Sequence, residues 1–248
     1  MIEVRGIHKA FGRLQVLRGV DLDVATGGTL VILGQSGGGK SVLLKAIAGL
    51  LEPDQGSVRI DGKRRDELTP AEAERAALRF AYLFQGAALF DSLTVGENVT
   101  FALRRFTGKS VEELRAVAEE RLNWVGLRGI QDKKPAELSG GMRKRVGLAR
   151  AIAMDPAYVL YDEPTTGLDP ISSDAIAELI LSLQARLQST SIVVTHDMAL
   201  AFKVGDRLCL LNQGRMHAQA DKEAFRALDD EVVQQFIHGR AQGPIQFL

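Results

Sequence analysis

The sequence predicts an α/β fold with a mostly parallel core sheet, and three observations lead to this prediction. Short apolar, β-branched runs alternate with amphipathic segments, as in a parallel sheet covered by helices. A glycine-rich stretch, Gly34 to Ser41, lies between one apolar run and one helical segment. Polar residues follow further apolar runs at Gln85, Asp162 and His196, and ligands of such folds bind at the strand ends.

The composition is that of an ordinary soluble globular protein. The 248 residues suffice for one large domain or two small ones, and 46% of them are hydrophobic. Lys+Arg and Asp+Glu balance at 31 each, so no net field recruits nucleic acid or anionic lipid. The single cysteine, Cys209, lies in an apolar run and is predicted to be inert core in a reducing compartment. No apolar run approaches the ~18 residues that cross a bilayer, and the start lacks a signal-peptide core, so we expect a cytosolic protein.

The glycine-rich stretch matches a phosphate-binding loop, in which Gly, four residues and Gly-Lys-Ser follow one another. It reads Gly34-Gln35-Ser36-Gly37-Gly38-Gly39-Lys40-Ser41. Glycines let the backbone curl around a polyphosphate, which the loop N–H groups and the following helix attract. In such a loop Lys40 reaches the β- and γ-phosphates, and the Ser41 hydroxyl holds Mg²⁺. The alternative, a loop that binds nothing, leaves the Lys-Ser pair unexplained.

Strands dominate the elements around this loop. Alternation predicts strands within Ile2 to Val24, where Phe11 could be core or could offer a flat face to a base. The apolar run Thr29 to Leu33 predicts a buried strand, and Lys40 to Leu50 a largely buried helix. A strand over Gly56 to Gly62 closes on an Asp-Gly turn. One further strand, Arg79 to Phe84, ends at Gln85.

Helices follow, and we expect them to form a subdomain inserted at about residues 92–155. One helix starts near Thr94, and Ser110 with Glu113 makes a capping box for another, Ser110 to Val125. Its apolar face is predicted to comprise Val111, Leu114, Val117, Ala118, Leu122 and Val125. No proline- or glycine-rich linker borders this region, so it is an insertion into one domain of residues 1–238.

The second half repeats the alternation. Ser139-Gly140-Gly141 precedes a helix, and the apolar run Tyr158 to Tyr161 leads into Asp162-Glu163. Asp169 is predicted to be the N-cap of a helix that begins with proline. A strand over Ile192 to Thr195 ends at His196.

The chain closes with a helix and a tail. The final helix is predicted over Asp230 to His238, with Gly239 placed to end it. The tail, residues 239–248, finishes with the apolar residues Ile245, Phe247 and Leu248, so we expect it to dock on a protein surface, that of another subunit, with a frayed terminus as the alternative.

These motifs, in this order and spacing, are similar to the ATP-binding subunits of ABC transporters, over essentially residues 1 to 238. The phosphate loop by itself indicates only an NTPase. The Ser-Gly-Gly element upstream of an Asp-Glu strand makes the resemblance specific, and it implies a P-loop ATPase fold with an N-terminal antiparallel β subdomain.

The resemblance assigns roles to the polar residues. Asp162 would hold Mg²⁺ through water, and Glu163 would be the general base for the attacking water. Two adjacent carboxylates repel each other and make little sense without a cation, although a solvated acidic turn is the alternative. His196 would contact the γ-phosphate and the water, and Gln85 would sense Mg²⁺ and the γ-phosphate. Phe11 corresponds to the adenine-stacking aromatic, against the core interpretation.

The same resemblance predicts a dimer. Ser139, Gly140 and Gly141 offer a hydroxyl and N–H groups at a helix start, an anion site of their own. Because the phosphate loop already holds one nucleotide, this second site would close on the partner's ATP. The resemblance also assigns Val42 and Asp169 to the nucleotide site. Met142 stands where the family usually has glutamine, which leaves the phosphate contacts intact but does not supply the polar contact that glutamine would make.

Within the family the chain resembles ATPases of the Mla type, which serve phospholipid transport between Gram-negative membranes. Three stretches carry this resemblance, namely 34–42, 84–92 and 138–145. It implies a homodimer at the cytoplasmic face of the inner membrane, a membrane permease and lipid-binding accessory subunits. Apolar residues of Leu89 to Val99 would line the groove for a permease helix.

Three alternatives share part of the pattern. The ATPase of an importer for amino acids, ions or another small solute has every catalytic motif. A non-transport ABC ATPase of DNA repair or translation carries a long coiled coil or two cassettes, and this chain has neither; its neutral charge also disfavours nucleic acid. A P-loop kinase leaves Ser139-Gly140-Gly141 unexplained.

Overall fold

The computed structural model describes residues 1–246, which fall into two units. The first comprises Met1–Pro70 and the described residues from Ile192 onward, and the second comprises Ala71–Ser191. The strands are β1 (Ile2–Phe11), β2 (Leu14–Val24), β3 (Thr29–Leu33), β4 (Gln55–Ile60), β5 (Lys63–Arg64), β6 (Phe80–Leu83), β7 (Tyr158–Asp162), β8 (Thr190–Thr195), β9 (Arg207–Asn212) and β10 (Arg215–Asp221). The helices are α1 (Lys40–Ala48), α2 (Pro70–Ala77), α3 (Val95–Val99), α4 (Phe101–Phe106), α5 (Val111–Trp124), α6 (Gly140–Ala151), α7 (Pro170–Leu187), α8 (Met198–Val204), α9 (Lys222–Arg226) and α10 (Glu231–His238).

The first unit contains an antiparallel sheet with the strand order β2-β1-β4-β5. Ile2 lies opposite Val24 on one side and Ile60 on the other. The period of two along β1 buries Ile2 and Val4 on the same face. Asp61 and Gly62 both have positive φ angles, the conformation that lets an Asp-Gly pair join β4 and β5 in a hairpin.

The core strands of the first unit are ordered β10-β9-β3-β8. Strand β3 pairs with β9 in parallel, and β10 adds an antiparallel edge. All five residues of β3 are buried, because parallel strands are covered on both faces. Cys209 lies buried in β9, and desolvation raises the pKa of its thiol, so the prediction of an inert core cysteine is confirmed.

Helix α1 is two residues shorter than predicted. It ends at Ala48, since Gly49 takes the left-handed C-cap conformation with φ 74°. Leu50 therefore lies beyond the helix, and 59% of its surface is exposed. The prediction that Leu50 belongs to the buried helix face is wrong, because the glycine cap turns the chain before that position.

The second unit pairs β6 with β7 in parallel, with Leu83 opposite Tyr161. Thr94 with Glu97 and Ser110 with Glu113 form reciprocal capping boxes, so the starts of α3 and α5 agree with the predictions. Leu114, Ala118 and Leu122 of α5 are buried. Val111 lies on the same helical face, three residues before Leu114, but it is exposed, so burial of this face begins only at Leu114.

The last helix, α10, is capped by Asp230 and Gly239 as predicted. The amide of Gln235 pairs with the backbone of Ile245, whose N–H donates to Oε1 at 2.7 Å and whose carbonyl accepts from Nε2 at 3.0 Å. Ile245 is therefore buried against its own chain. Phe247 and Leu248 lie outside the described residues, and their docking on another subunit stays a prediction.

Within residues 1–246, none of the helices combines the length and the apolar character that a membrane span requires.

Candidate active site

The predicted phosphate loop lies between β3 and α1 in the first unit. Gly34 leaves β3 with φ 158°, and a Cβ there would lie 2.5 Å from the carbonyl oxygen of Leu211. Gly39 has φ 95° and is the N-cap of α1, where a Cβ would press on Val16. Glycine is thus required at both ends of the loop by close backbone approach and by conformation.

Lys40 is buried at the first position of α1. Its Nζ donates to the carbonyls of Gly34 at 2.8 Å and of Gln35 at 3.0 Å. The ammonium is thereby fixed over the loop and beside a helix N-terminus, whose partial charge is also positive. Such a combination suits an anion, and the predicted contact of Lys40 with the phosphates of a nucleotide stays a prediction.

Two other predicted residues lie in the first unit. Phe11 ends β1 with 50% of its surface exposed, so the core interpretation is wrong and its ring is open to stacking. The Nζ of Lys9 lies 5.7 Å from the centre of that ring. His196 is exposed between β8 and Asp197, the N-cap of α8. The nucleotide contacts of Phe11 and His196 stay predictions.

The second unit holds the predicted carboxylate pair. Asp162 ends β7 and is 5% exposed, and Glu163 follows with 7%. The hydroxyl of Tyr82 donates to Asp162 Oδ2 at 2.8 Å, and Thr166 Oγ1 donates to Glu163 Oε2 at 3.3 Å. A solvated acidic turn would be exposed, so this burial argues against that alternative.

The surroundings of Tyr82 favour its protonated form. Burial and the charge of Asp162 raise the pKa of its hydroxyl, so the proton stays available for donation. The hydrogen bond orients one oxygen of the proposed metal ligand, and such partners tune the ligand they hold.

The backbone of Glu163 is unusual. Its φ of 48° is left-handed, and Pro164 follows it, although residues before proline favour extended conformations. Lys144 of α6 donates to the carbonyls of Pro164 at 2.8 Å and of Thr166 at 2.6 Å. It also reaches the carbonyl of Glu163 itself at 3.5 Å. The segment that carries the predicted base is therefore tied to α6.

Ser139 is the N-cap of α6, and its hydroxyl accepts from the N–H of Met142 at 3.3 Å. Gly140 continues the exposed surface, and Gly141 is half-buried. A Cβ added to either glycine would meet nothing within 4 Å. Packing within the chain therefore does not explain these glycines, whereas a ligand brought close to the helix start would.

Gln85 lies exposed, two residues after β6. Its loop continues through Ala87 and Ala88, which both have positive φ angles. Arg150 holds this strained turn, because its guanidinium donates to the Ala87 carbonyl at 2.6 Å and the Ala88 carbonyl at 2.7 Å. The loop after Gln85 is thus fastened to α6 as well.

Asp169 is the N-cap of α7, as predicted from the Asp-Pro pair. Its Oδ1 accepts from the N–H groups of Ile171 and Ser172, and Oδ2 accepts from the Ser172 hydroxyl at 2.6 Å. That hydroxyl and the backbone N–H groups lower the pKa of Asp169. Helix capping accounts for these contacts, and a nucleotide contact of Asp169 stays a prediction.

Sequence reasoning missed Tyr82 and Lys144. Tyr82 lies in an apolar strand, where an aromatic residue is normally interpreted as part of the hydrophobic core. Lys144 stands among basic residues, yet it shares the buried face of α6 with Gly147 and Leu148. A lysine at helical spacing within an apolar face was the available signal, because lysine is rarely buried without a partner.

Comparison with known proteins identifies the family of the chain. The family model described as ABC transporter matches residues 17–166. The probable ribonucleotide transport ATP-binding protein mkl of Mycobacterium leprae is 42% identical over 244 residues, 98% of this chain and 70% of that protein. The intermembrane phospholipid transport system ATP-binding protein MlaF of Haemophilus influenzae is 38% identical over 247 residues, 100% of this chain and 94% of that protein.

A solved structure gives the same fold. It shows a dimeric post-hydrolysis state of an ATP-binding cassette bound to ADP and Pi, with a TM-score of 0.82 and 32% identity. The alignment covers 90% of this chain and 99% of that one. The predicted α/β fold, with its antiparallel N-terminal sheet and parallel core, is confirmed. The chain therefore belongs to the ABC transporter family of ATP-binding proteins.

Proposed function

We propose that the chain is the ATP-hydrolysing subunit of an ABC transporter that moves phospholipid between membranes. The buried carboxylate pair Asp162 and Glu163 is the observation that carries the hydrolytic part. The lipid part is supported by the similarity to the MlaF protein, which extends over the full chain.

The residues present suit a magnesium ion. Ser41, Gln85 and Asp162 offer a hydroxyl, an amide oxygen and a carboxylate, and Mg²⁺ prefers hard oxygen ligands of this kind. When bound, the ion would neutralise charge that develops on the transferring phosphate. Lys40 and the loop N–H groups would hold the phosphates of ATP, and Phe11 would stack on the adenine.

Hydrolysis then needs a base. The Glu163 carboxylate would accept the proton of the attacking water while the Thr166 hydroxyl fixes one of its oxygens. His196 would orient the γ-phosphate and the water, and Gln85 would report the state of the site to the loop that Arg150 holds.

The proposed working unit is a homodimer. Ser139 and Gly140 form an exposed helix start, and a Cβ added to Gly140 or Gly141 would meet nothing within 4 Å. A partner's ATP phosphates fit the chemistry of this surface, since its N–H groups attract anions. The solved relative that binds ADP and Pi is a dimer.

The proposed membrane partner is a permease, which would bring the chain to the cytoplasmic face of the inner membrane together with lipid-binding accessory subunits. The rings of Phe90 and Phe101 are in contact in a tilted arrangement, with centres 4.5 Å apart, and both are partly exposed. Leu89 and Leu93 are half-buried beside them, whereas Val95 is fully buried. Val95 is thus excluded from the predicted groove, and Phe90 would contribute most to it.

Isolation of the intact membrane complex tests the substrate. The complex would be purified through a tag on this chain, and its small molecules would be identified by mass spectrometry. Phospholipid bound in amounts near one per complex, with ATP-dependent transfer between vesicles, is the expected result. Ribonucleotide, as the name of the mycobacterial relative suggests, or another small solute in its place would overturn the lipid assignment while leaving the ATPase assignment intact.

Tyr82→Phe should weaken the use of Mg²⁺. The change removes the hydrogen bond to Asp162, and such a bond to a charged group contributes about 1.5–3 kcal/mol. We expect the Mg²⁺ concentration for half-maximal ATPase activity to rise about tenfold. Tyr161→Phe, which also deletes a buried hydroxyl, is the matched control and should stay near the wild-type value. An unchanged Mg²⁺ dependence in Tyr82→Phe would show that this hydroxyl does not orient Asp162.

A further inference from the structure

We propose that Lys144 is a positioning residue for hydrolysis, which holds the backbone that presents Glu163 and ties it to the helix that begins at Ser139. The proposal rests on the proposed function, in which Glu163 is the base. It adds a residue that would act on turnover without touching nucleotide.

The contacts of Lys144 converge on one short segment. Nζ donates to the carbonyls of Pro164 at 2.8 Å, Thr166 at 2.6 Å and Glu163 at 3.5 Å. A lysine ammonium has three N–H donors, so this set can use all of them. The two short bonds have the length of charge-assisted hydrogen bonds, and the third is long.

The segment needs such support. Glu163 has a left-handed backbone with φ 48°, and the following residue is Pro164. Strained backbone of this kind persists only where its surroundings over-determine it. Lys144 supplies that constraint from a neighbouring element, because carbonyls of three residues within four positions point at one cation.

Burial makes the arrangement specific. Lys144 is 8% exposed, and desolvation lowers its pKa while the charge of Glu163 opposes that shift. A lysine that served only solubility would lie in solvent. In this position the ammonium is compensated by the three carbonyl dipoles and by the carboxylate of Glu163.

Lys144 also connects the Ser139 helix start to the Glu163 segment, the two elements to which we assign functions. Lys144 lies on α6, five residues after the helix cap Ser139, whose predicted ligand is the partner's ATP. A displacement of Ser139 on nucleotide binding would therefore be transmitted through one helical turn to the Glu163 backbone. Hydrolysis would then depend on a closed Ser139 site.

The test compares two changes on the same helix. Lys144→Met keeps the apolar stem and removes the ammonium, whereas Arg145→Met removes an equal charge whose hydrogen bond goes to the Val125 carbonyl. We expect Lys144→Met to lower kcat about 30–100-fold with KM for MgATP within about threefold, since small displacements of a reacting group cost up to about 10²-fold. Arg145→Met should keep kcat within about threefold. Lys144→Gln, which retains two N–H donors, should recover part of the loss.

A double-mutant cycle separates positioning from general destabilisation. If Lys144 acts through Glu163, then Lys144→Met should lower the residual rate of Glu163→Gln by threefold or less. Two outcomes would overturn the positioning role. In one, Lys144→Met lowers kcat by the same factor in the wild type and in Glu163→Gln. In the other, Arg145→Met, with the same change in Tm, lowers kcat as much as Lys144→Met does. Near-normal turnover of Glu163→Gln itself would instead overturn the proposed role of Glu163, so the two failures are distinguishable.

Discussion

Glu163→Gln should bind MgATP as the wild type does and hydrolyse it about 10²–10⁴ times more slowly, the usual weight of general-base catalysis. The amide has the shape of the carboxylate and can still accept from Thr166 Oγ1, but it cannot take a proton from water. Since Glu163 is buried, bulk water cannot readily replace it as the base. Single-turnover ATPase assays and nucleotide titrations measure the two effects separately.

The same variant should accumulate as an ATP-bound dimer, because closure precedes the step that is blocked. Size-exclusion chromatography with and without MgATP would detect it. Glu119→Gln, at an exposed position of α5, provides the control for the loss of a negative charge. Turnover near the wild-type rate in Glu163→Gln would remove Glu163 from the mechanism.

Patterns short in sequence were sufficient to predict most of the fold. The five residues of β3 are apolar or β-branched, which predicts a buried strand, and the glycines that follow are typical of a phosphate-binding loop. The order of strand, loop and helix could therefore be predicted. Helix starts were equally local, because a cap such as Ser110 and its partner Glu113 lie three residues apart. Errors arose at ends, where Gly49 stops α1 early and leaves Leu50 exposed.

The hydrogen-bond partners of the site residues could not be predicted from the sequence, because they depend on contacts between positions that are distant in sequence. Tyr82 and Asp162 are 80 residues apart in sequence, and only the pairing of β6 with β7 brings their strands together. Lys144 meets Thr166 from a different element in the same way. The left-handed backbone of Glu163 is likewise imposed by tertiary contacts, against the local preference of a residue before proline.

Ser139→Arg should abolish ATP hydrolysis while a single chain still binds ATP with nearly unchanged affinity. The arginine would fill the exposed helix start of α6, where Gly140 and Gly141 leave open space for a ligand. Because the proposed ligand is the partner's nucleotide, the defect should concern dimer closure rather than the phosphate loop of the same chain. Ser139→Ala keeps the backbone N–H groups and should lose less activity. Loss of ATP binding by the isolated Ser139→Arg chain would contradict this division of labour.

Mixing Ser139→Arg with Lys40→Ala tests the shared sites directly. Lys40→Ala removes the ammonium held over the loop and should abolish activity through weak or misplaced phosphate binding. In a dimer of one chain of each kind, the intact Lys40 of the first faces the intact Ser139 of the second, so one of the two composite sites is complete. Random association of equal amounts makes half of the dimers mixed, and a symmetric dimer has two sites, so about a quarter of the wild-type activity should return. The control is a chain that carries both changes, mixed with wild type. Its mixed dimers contain no complete site, so the activity should fall below that of wild type diluted with buffer to the same concentration. If mixed dimers form but the activity of the mixture stays at the mean of the two inactive parents, the sharing of sites between subunits is contradicted.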